Sequence, residues 1–313
     1  MSRVATALEL VLNHVDAWWH RGDRRDAELL DPSTPADLTA DDRASRAFDR
    51  EAVLGAFGRK VVIEGRTYPY VVLPGRGSTL CIHFSAFFGE WGERRQHRAQ
   101  FQGWFHRLRM FWPLAEHHFL FLCDTFGADA NGTYYKGEDG DFFVERAMEQ
   151  IQGQVGDLLG IDAAHTIALG SSMGATAALR FALRHGYAGA VAVSPHVDLD
   201  ISALTQQRLR HVSAVVGRED VEAPDLRPVM REVAELAASA PVLPSLVLQS
   251  MQDDHGVHDE QVLPLLSTWE ERGGRVLADF HPTGGHTSDY ATAEFFERAI
   301  SWCLGLASMG ARA

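Results

Sequence analysis

Apolar and polar positions along this chain follow two periods. Over residues 5–20, Ala5, Leu8, Val11, Leu12, Val15 and one of Trp18 and Trp19 share a face at helical spacing. This predicts an amphipathic helix that packs on the body of the protein or on a second copy of it, which would make a homo-oligomer. Residues 31–46, DPSTPADLTADDRASR, hold two prolines and a cluster of acids, and read as a surface linker. From 51 to 73 the runs VVIEG and TYPYVVLPG flank a Gly-Arg turn and predict antiparallel edge strands. TLCIHF (79–84), HFLFLCD (118–124), TIAL (166–169), GAVAVSP (189–195), PSLVLQS (244–250) and RVLADF (275–280) are short apolar runs of the kind that form buried strands. Helix-spaced segments at 93–110, 144–159, 175–186 and 290–304 lie between or after them. Such alternation predicts an α/β protein with a mostly parallel central sheet flanked by helices. It is interrupted once, at about 196–241, where QQRLRHV and VMREVAELAASA read as a helical insertion.

Composition changes this picture little. With 313 residues, 46% hydrophobic and 23% charged, the chain can bury a large core. Its organisation reads as an N-terminal helix and linker over 1–46, followed by one domain over 47–313 that contains the insertion. A formal charge of −13 argues against nucleic acid or an anionic membrane surface as partner, since either needs clustered Lys and Arg. Cys81, Cys123 and Cys303 are too few and scattered for a disulfide framework, and read as buried thiols. Glu9, His14 and Asp16 break any signal-peptide core, and no apolar run reaches the roughly 18 residues of a membrane span, so a cytoplasmic protein is expected.

The chemistry is concentrated at 165–186, HTIALGSSMGATAALRFALRHG. A short apolar run meets Gly170, Ser171, Ser172, Met173 and Gly174, and an Ala/Leu-rich helix follows. The turn spells GxSxG, the nucleophile elbow, in which a serine is held strained and exposed at the top of a sheet. Glycines two residues either side of Ser172 have a steric reason, because a Cβ would collide across so sharp a turn.

The elbow and its setting resemble the serine α/β-hydrolase superfamily, which implies an α/β-hydrolase fold whose triad runs Ser, acid, His along the chain. The resemblance implies an acid after the late strand, in MQDDHGVHDE, where both Asp253 and Asp254 stand. Val257 three positions on matches the family's Asp-x-x-Val pattern and favours Asp254, with Asp198 in reserve. It implies a histidine in the loop before the last helix, where His286 follows two glycines; His281 at the strand end is the weaker choice. It implies two oxyanion donors: the N–H of Met173, and one from SAFFGEWG (85–92), where Phe87 is favoured and Ala86, standing where a glycine is usual, is the alternative. The insertion at 196–241 falls where this superfamily often carries a helical cap that shapes the pocket.

Other groups have two readings. Tyr134, Tyr135 and Lys136, beyond a strand end, either line an acyl or sugar pocket or pack inward. Arg94, Arg95, Arg98, Arg107 and Arg109 form a basic helix face that is either solvated or holds an anionic substrate. Adjacent His117 and His118 point to opposite faces of a strand, which argues against a shared metal, and His255 and His258 with their acidic neighbours imitate a metal site that the triad reading explains without one. No cofactor is implied. A second resemblance, carried by FSAFFGEW, by Asp124 with GTYYKG and by GSSMGATAALRF over about 80–182, is to the hydrolase-fold proteins of bacterial accessory secretion systems, and implies acetyl chemistry on glycans. The long N-terminal portion of those proteins is not evident in this chain. The expected function is a serine hydrolase that cleaves a small-molecule ester or thioester through an acyl-enzyme on Ser172. The alternatives are an acyltransferase using the same triad and a non-catalytic binding protein of this fold.

Overall fold

The computed structural model describes residues 40–87 and 103–305. The helix expected at 5–20, the first part of the linker, and 88–102 with Arg94, Arg95 and Arg98 lie outside the described residues. Eight strands form one sheet: β1 (Gly58–Ile63), β2 (Arg66–Leu73), β3 (Leu80–Phe84), β4 (His118–Leu122), β5 (Thr166–Ser171), β6 (Gly189–Val193), β7 (Ser245–Met251) and β8 (Val276–His281). Their order across the sheet is β1-β2-β4-β3-β5-β6-β7-β8. The β1–β2 and β2–β4 pairs are antiparallel and all later pairs are parallel, as the strand–helix alternation predicts.

The side-chain period of two divides the sheet between two cores. Ile167, Leu169, Val191, Val193 and Val247 face one core, with helix α1 (Arg50–Phe57). Ala168, Ala190 and Ala192 face the other, with helix α2 (Phe143–Leu159) and the elbow helix α3 (Met173–His185). Three alanines on that face of the central strands let α3, itself built on Ala175, Ala177, Ala178 and Ala182, lie close to the sheet. α1 is a departure from the strands expected from residue 51: Asp49 accepts N–H bonds from Glu51 and Ala52, a cap that starts a helix before β1 can begin.

The insertion is helical, with α4 (Leu199–Thr205), α5 (Leu209–Val216) and α6 (Glu232–Ser239), and it leaves and rejoins the sheet between neighbours β6 and β7. The last described helix, α7 (Ala293–Cys303), is capped by Thr292 and covers the other face with Phe295, Phe296 and Ile300. The end of the stretch read as linker is not open chain. Residues Ala40–Ser45 are helical, and Arg43 is buried, its guanidinium donating to the carbonyls of Phe111, Trp112, Leu114, His117 and Pro74. A guanidinium has five N–H donors, so one side chain can tie five carbonyls of the body to this helix. All three cysteines are buried free thiols. No helix among the described residues is long and apolar enough to cross a membrane.

Candidate active site

Strand β5 delivers Ser172 to the carboxyl end of the sheet. Its φ of 51° and ψ of −124° lie where a residue with a Cβ is strained. Its N–H donates to Val193 O at 2.8 Å, which ties the turn to the end of β6. The flanking glycines are required by two different approaches. A Cβ on Gly170 would stand 2.2 Å from the Gly174 backbone across the turn. One on Gly174 would stand 2.2 Å from Phe84 O, at the end of β3. The second glycine therefore draws α3 against the loop that begins at Ser85.

Three polar side chains, far apart in sequence, meet here. His286 Nε2 lies 2.9 Å from Ser172 Oγ, and His286 Nδ1 lies 2.9 Å from Asp254 Oδ2. The neighbouring Asp253 is turned the other way and accepts the N–H groups of Gly284 (3.0 Å) and Gly285 (2.8 Å). Those two bonds, Gly285 first, hold the Asp253 carboxyl below its ordinary range. So one aspartate meets the imidazole and the other holds the loop that carries it. The alternatives to these residues are engaged elsewhere. His281 stacks on Tyr290 at 3.9 Å, and Asp198 lies 4.0 Å from Arg231. His255 bonds Asp259 and His258 bonds Ser250.

Met173 opens α3, where the first N–H groups have no carbonyl within the helix to accept them. Ala86 and Phe87 follow Ser85, whose N–H donates to Leu122 O. The Phe87 ring meets the insertion edge-on at His211, with centroids 4.7 Å apart. The loop after β4 is organised by buried Asp124, which accepts the N–H groups of Phe126, Thr133 and Tyr135 and the Thr133 hydroxyl. This gives Asp124 and GTYYKG a shared physical role. Tyr135 is fully buried and donates its hydroxyl to the carbonyls of Ser85 (3.0 Å) and Leu122 (3.1 Å), which makes it a brace between two loops, the inward-packing reading. Lys136 is also buried, paired with Glu232 of the insertion. Tyr134 sits nearer the triad, with its hydroxyl 3.0 Å from His196 Nδ1.

Sequence reasoning passed over two residues at the site. The His196 ring centroid lies 5.3 Å from that of His286. Burial, then His286, then Arg208 push its pKa well below the usual imidazole range, so it stays neutral. Its Nδ1 meets the Tyr134 hydroxyl, a group that can donate to or accept from a neutral ring. Its position directly after β6 was the available signal, since ligand-facing residues of α/β sheets gather beyond strand carboxyl ends. Arg180 of α3 is the second. Its guanidinium donates to the carbonyls of Tyr134 (3.0 Å) and Tyr135 (2.6 Å), both of which have positive φ.

The fold has the architecture of the α/β hydrolases, and it brings a serine, a histidine and an aspartate into one hydrogen-bonded line. No family model and no curated protein matches the chain. Among solved structures it is similar to the capsule O-acetyltransferase of Neisseria meningitidis serogroup A, at 19% identity over 76% of this chain and 95% of that one, with a TM-score of 0.59. It is similar to the Glycosylation Associate Protein (Gap123) complex from Streptococcus agalactiae, at 16% identity and a TM-score of 0.61, over 79% of this chain and about half (47%) of that one. It is also similar to the fluorophosphonate-binding serine hydrolase FphF of Staphylococcus aureus, at 15% identity over 79% of this chain and 97% of that one, with a TM-score of 0.55. Likeness at these identities establishes a common fold.

Proposed function

We propose that this protein is a serine hydrolase that cleaves a carboxylic ester or thioester through an acyl-enzyme on Ser172. The observation that carries the reading is the unbroken line Ser172 Oγ, His286, Asp254, with 2.9 Å at each step and the serine in a strained conformation. The serine hydroxyl is a weak nucleophile on its own. In the resting state its O–H donates to His286 Nε2, while His286 Nδ1–H donates to Asp254 and fixes the tautomer. As Oγ attacks the acyl carbonyl, Nε2 takes the proton, and Asp254 stabilises the imidazolium. The N–H of Met173, with that of Phe87 or Ala86, receives the developing oxyanion, where one such donor is typically worth about 3 to 4 kcal/mol. His286 then returns the proton to the departing alcohol or thiol. Water activated by the same imidazole hydrolyses the acyl-serine. His196, neutral and adjacent, adds no positive charge to oppose protonation of His286.

A second reading is acyl transfer, in which a sugar hydroxyl replaces that water. It is favoured by the likeness to a capsule O-acetyltransferase and to a glycosylation-associated protein. A fluorophosphonate probe should label the wild-type protein and not Ser172→Ala; labelling that survives the substitution would end both readings. Product ratios measured with and without added sugar acceptors then separate them, because a hydrolase forms free acid whatever acceptor is supplied.

A further inference from the structure

Arg208 stands at the start of α5, brought there by a turn in which Gln207 has a positive φ of 57°. Its guanidinium lies over the Phe87 ring, 4.5 Å from the centroid. Phe87 belongs to the loop that Gly174 draws against the elbow, so this cation sits on the loop packed against the serine's turn. It acts on both His196 and Tyr134, the pair next to His286. Among the described residues no carboxylate lies within ion-pair distance of it, although the chain has 42 acidic residues against 29 Lys and Arg. Acids of neighbouring segments are engaged with other cations: Asp129 with Arg210 at 2.6 Å, and Asp200 with Arg231 at 2.9 Å. Contact with an aromatic ring does not use up the N–H donors of a guanidinium, which can still grip a carboxylate or phosphate through two parallel bonds.

We propose that Arg208 is a specificity-determining residue, and that the natural ester or acceptor carries an oxyanion, carboxylate or phosphate, which pairs with its guanidinium. The inference rests on the catalytic reading of Ser172 for its position, but it can fail or stand separately. Three acetyl esters test it: phenyl acetate, 4-acetoxybenzoate and 4-acetoxyphenyl phosphate. The wild type should show a kcat/KM for at least one anionic ester roughly tenfold above that for phenyl acetate, expressed in KM and shrinking with added salt. Arg208→Gln should bring that ratio to about one, and Arg208→Lys should restore it only in part, since an ammonium lacks the bidentate fork. Arg210→Gln removes an equal charge already paired with Asp129 and should keep the ratio. The carboxylate and phosphate arms identify the oxyanion. Equal constants for all three esters in the wild type, or an Arg208→Gln ratio like the wild type's, overturns the proposal. Calorimetric binding of 4-hydroxybenzoate and 4-hydroxyphenyl phosphate against phenol gives a readout that needs no turnover. A preference for the anions that Arg208→Gln abolishes, in a protein that labels at no serine, would retain the anion site and remove the catalytic reading instead.

Discussion

Two adjacent carboxylates at the end of β7 differ in what they hold: Asp254 faces His286, whereas Asp253 binds the glycine backbone of the histidine's loop. Asp254→Asn should therefore lower kcat by about 10⁴-fold, the loss seen when a triad imidazole takes the wrong tautomer. Asp253→Asn should cost much less in kcat and should increase amide exchange at Gly284 and Gly285, measured by NMR. Equal losses in kcat from the two substitutions would contradict this division. His196 gives a pH-dependent prediction. A histidine whose folded pKa is lowered binds its proton more readily when unfolded, so its contribution to stability is complete above about pH 6.5 and falls as pH drops below that value. Urea midpoints between pH 7 and 5 should fall less steeply for His196→Gln than for the wild type. The serine, the histidine and their order were legible in sequence because a strand–turn–helix and a glycine-flanked loop constrain where such residues can sit. The choice between residues 253 and 254 rested on an Asp-x-x-Val resemblance, because two adjacent aspartates present the same chemistry until the turn fixes their directions. The Tyr134–His196 contact was invisible, since it joins two loops 62 positions apart.

At the scale of elements, the insertion is fastened to the body by charge. Glu232 of α6 lies against Lys136, pairs with Arg184 at 2.7 Å, and stands 4.0 Å from Arg180, while Glu145 of α2 meets Arg184 at 2.5 Å and Arg180 at 3.4 Å. Burial pushes the Glu232 carboxyl up, and the surrounding cations more than offset this and hold it below its ordinary range. Glu232→Gln would leave buried Lys136 without its ion-pair partner and Arg180 with Glu145 alone, and should destabilise the fold by about 3 to 5 kcal/mol in urea unfolding. Because the folded pKa is depressed, this contribution is complete above the ordinary carboxylate range and is lost as pH falls through the folded value. The unfolding midpoints of wild type and variant should therefore converge as pH falls below the ordinary carboxylate range. A cost below about 1 kcal/mol would show that these charges are solvated. The strands and the helices α2, α3 and α7 were readable from their periods. This network was not, because Lys136 and Glu232 are 96 positions apart and each alone reads as a surface charge.

For the whole molecule, Arg43 joins the segment before α1 to the carbonyls of residues 111–117 and Pro74. Arg43→Met keeps the aliphatic stem but leaves buried carbonyls without donors, at about 1 to 3 kcal/mol for each that water cannot reach. A cooperative loss of several degrees in melting temperature is expected, with hydrogen exchange rising first in Ala40–Ser45; an unchanged melting temperature would count against a fastened helix. Composition hid this because DDRAS reads as polar surface, and five carbonyl acceptors leave no mark in the residues that supply them.

The excursion between β6 and β7 enters and departs through neighbouring strands, which invites its exchange for a foreign segment to retarget the proposed activity. Glu232 sets the terms of such a chimaera. A graft that lacks an equivalent carboxylate leaves Lys136 without its partner and Arg180 with Glu145 alone, and Arg180 also holds the carbonyls of Tyr134 and Tyr135. Transplants that omit the acid should thus disturb the residue that bonds His196, whereas those that carry it across should leave the line Ser172, His286, Asp254 undisturbed.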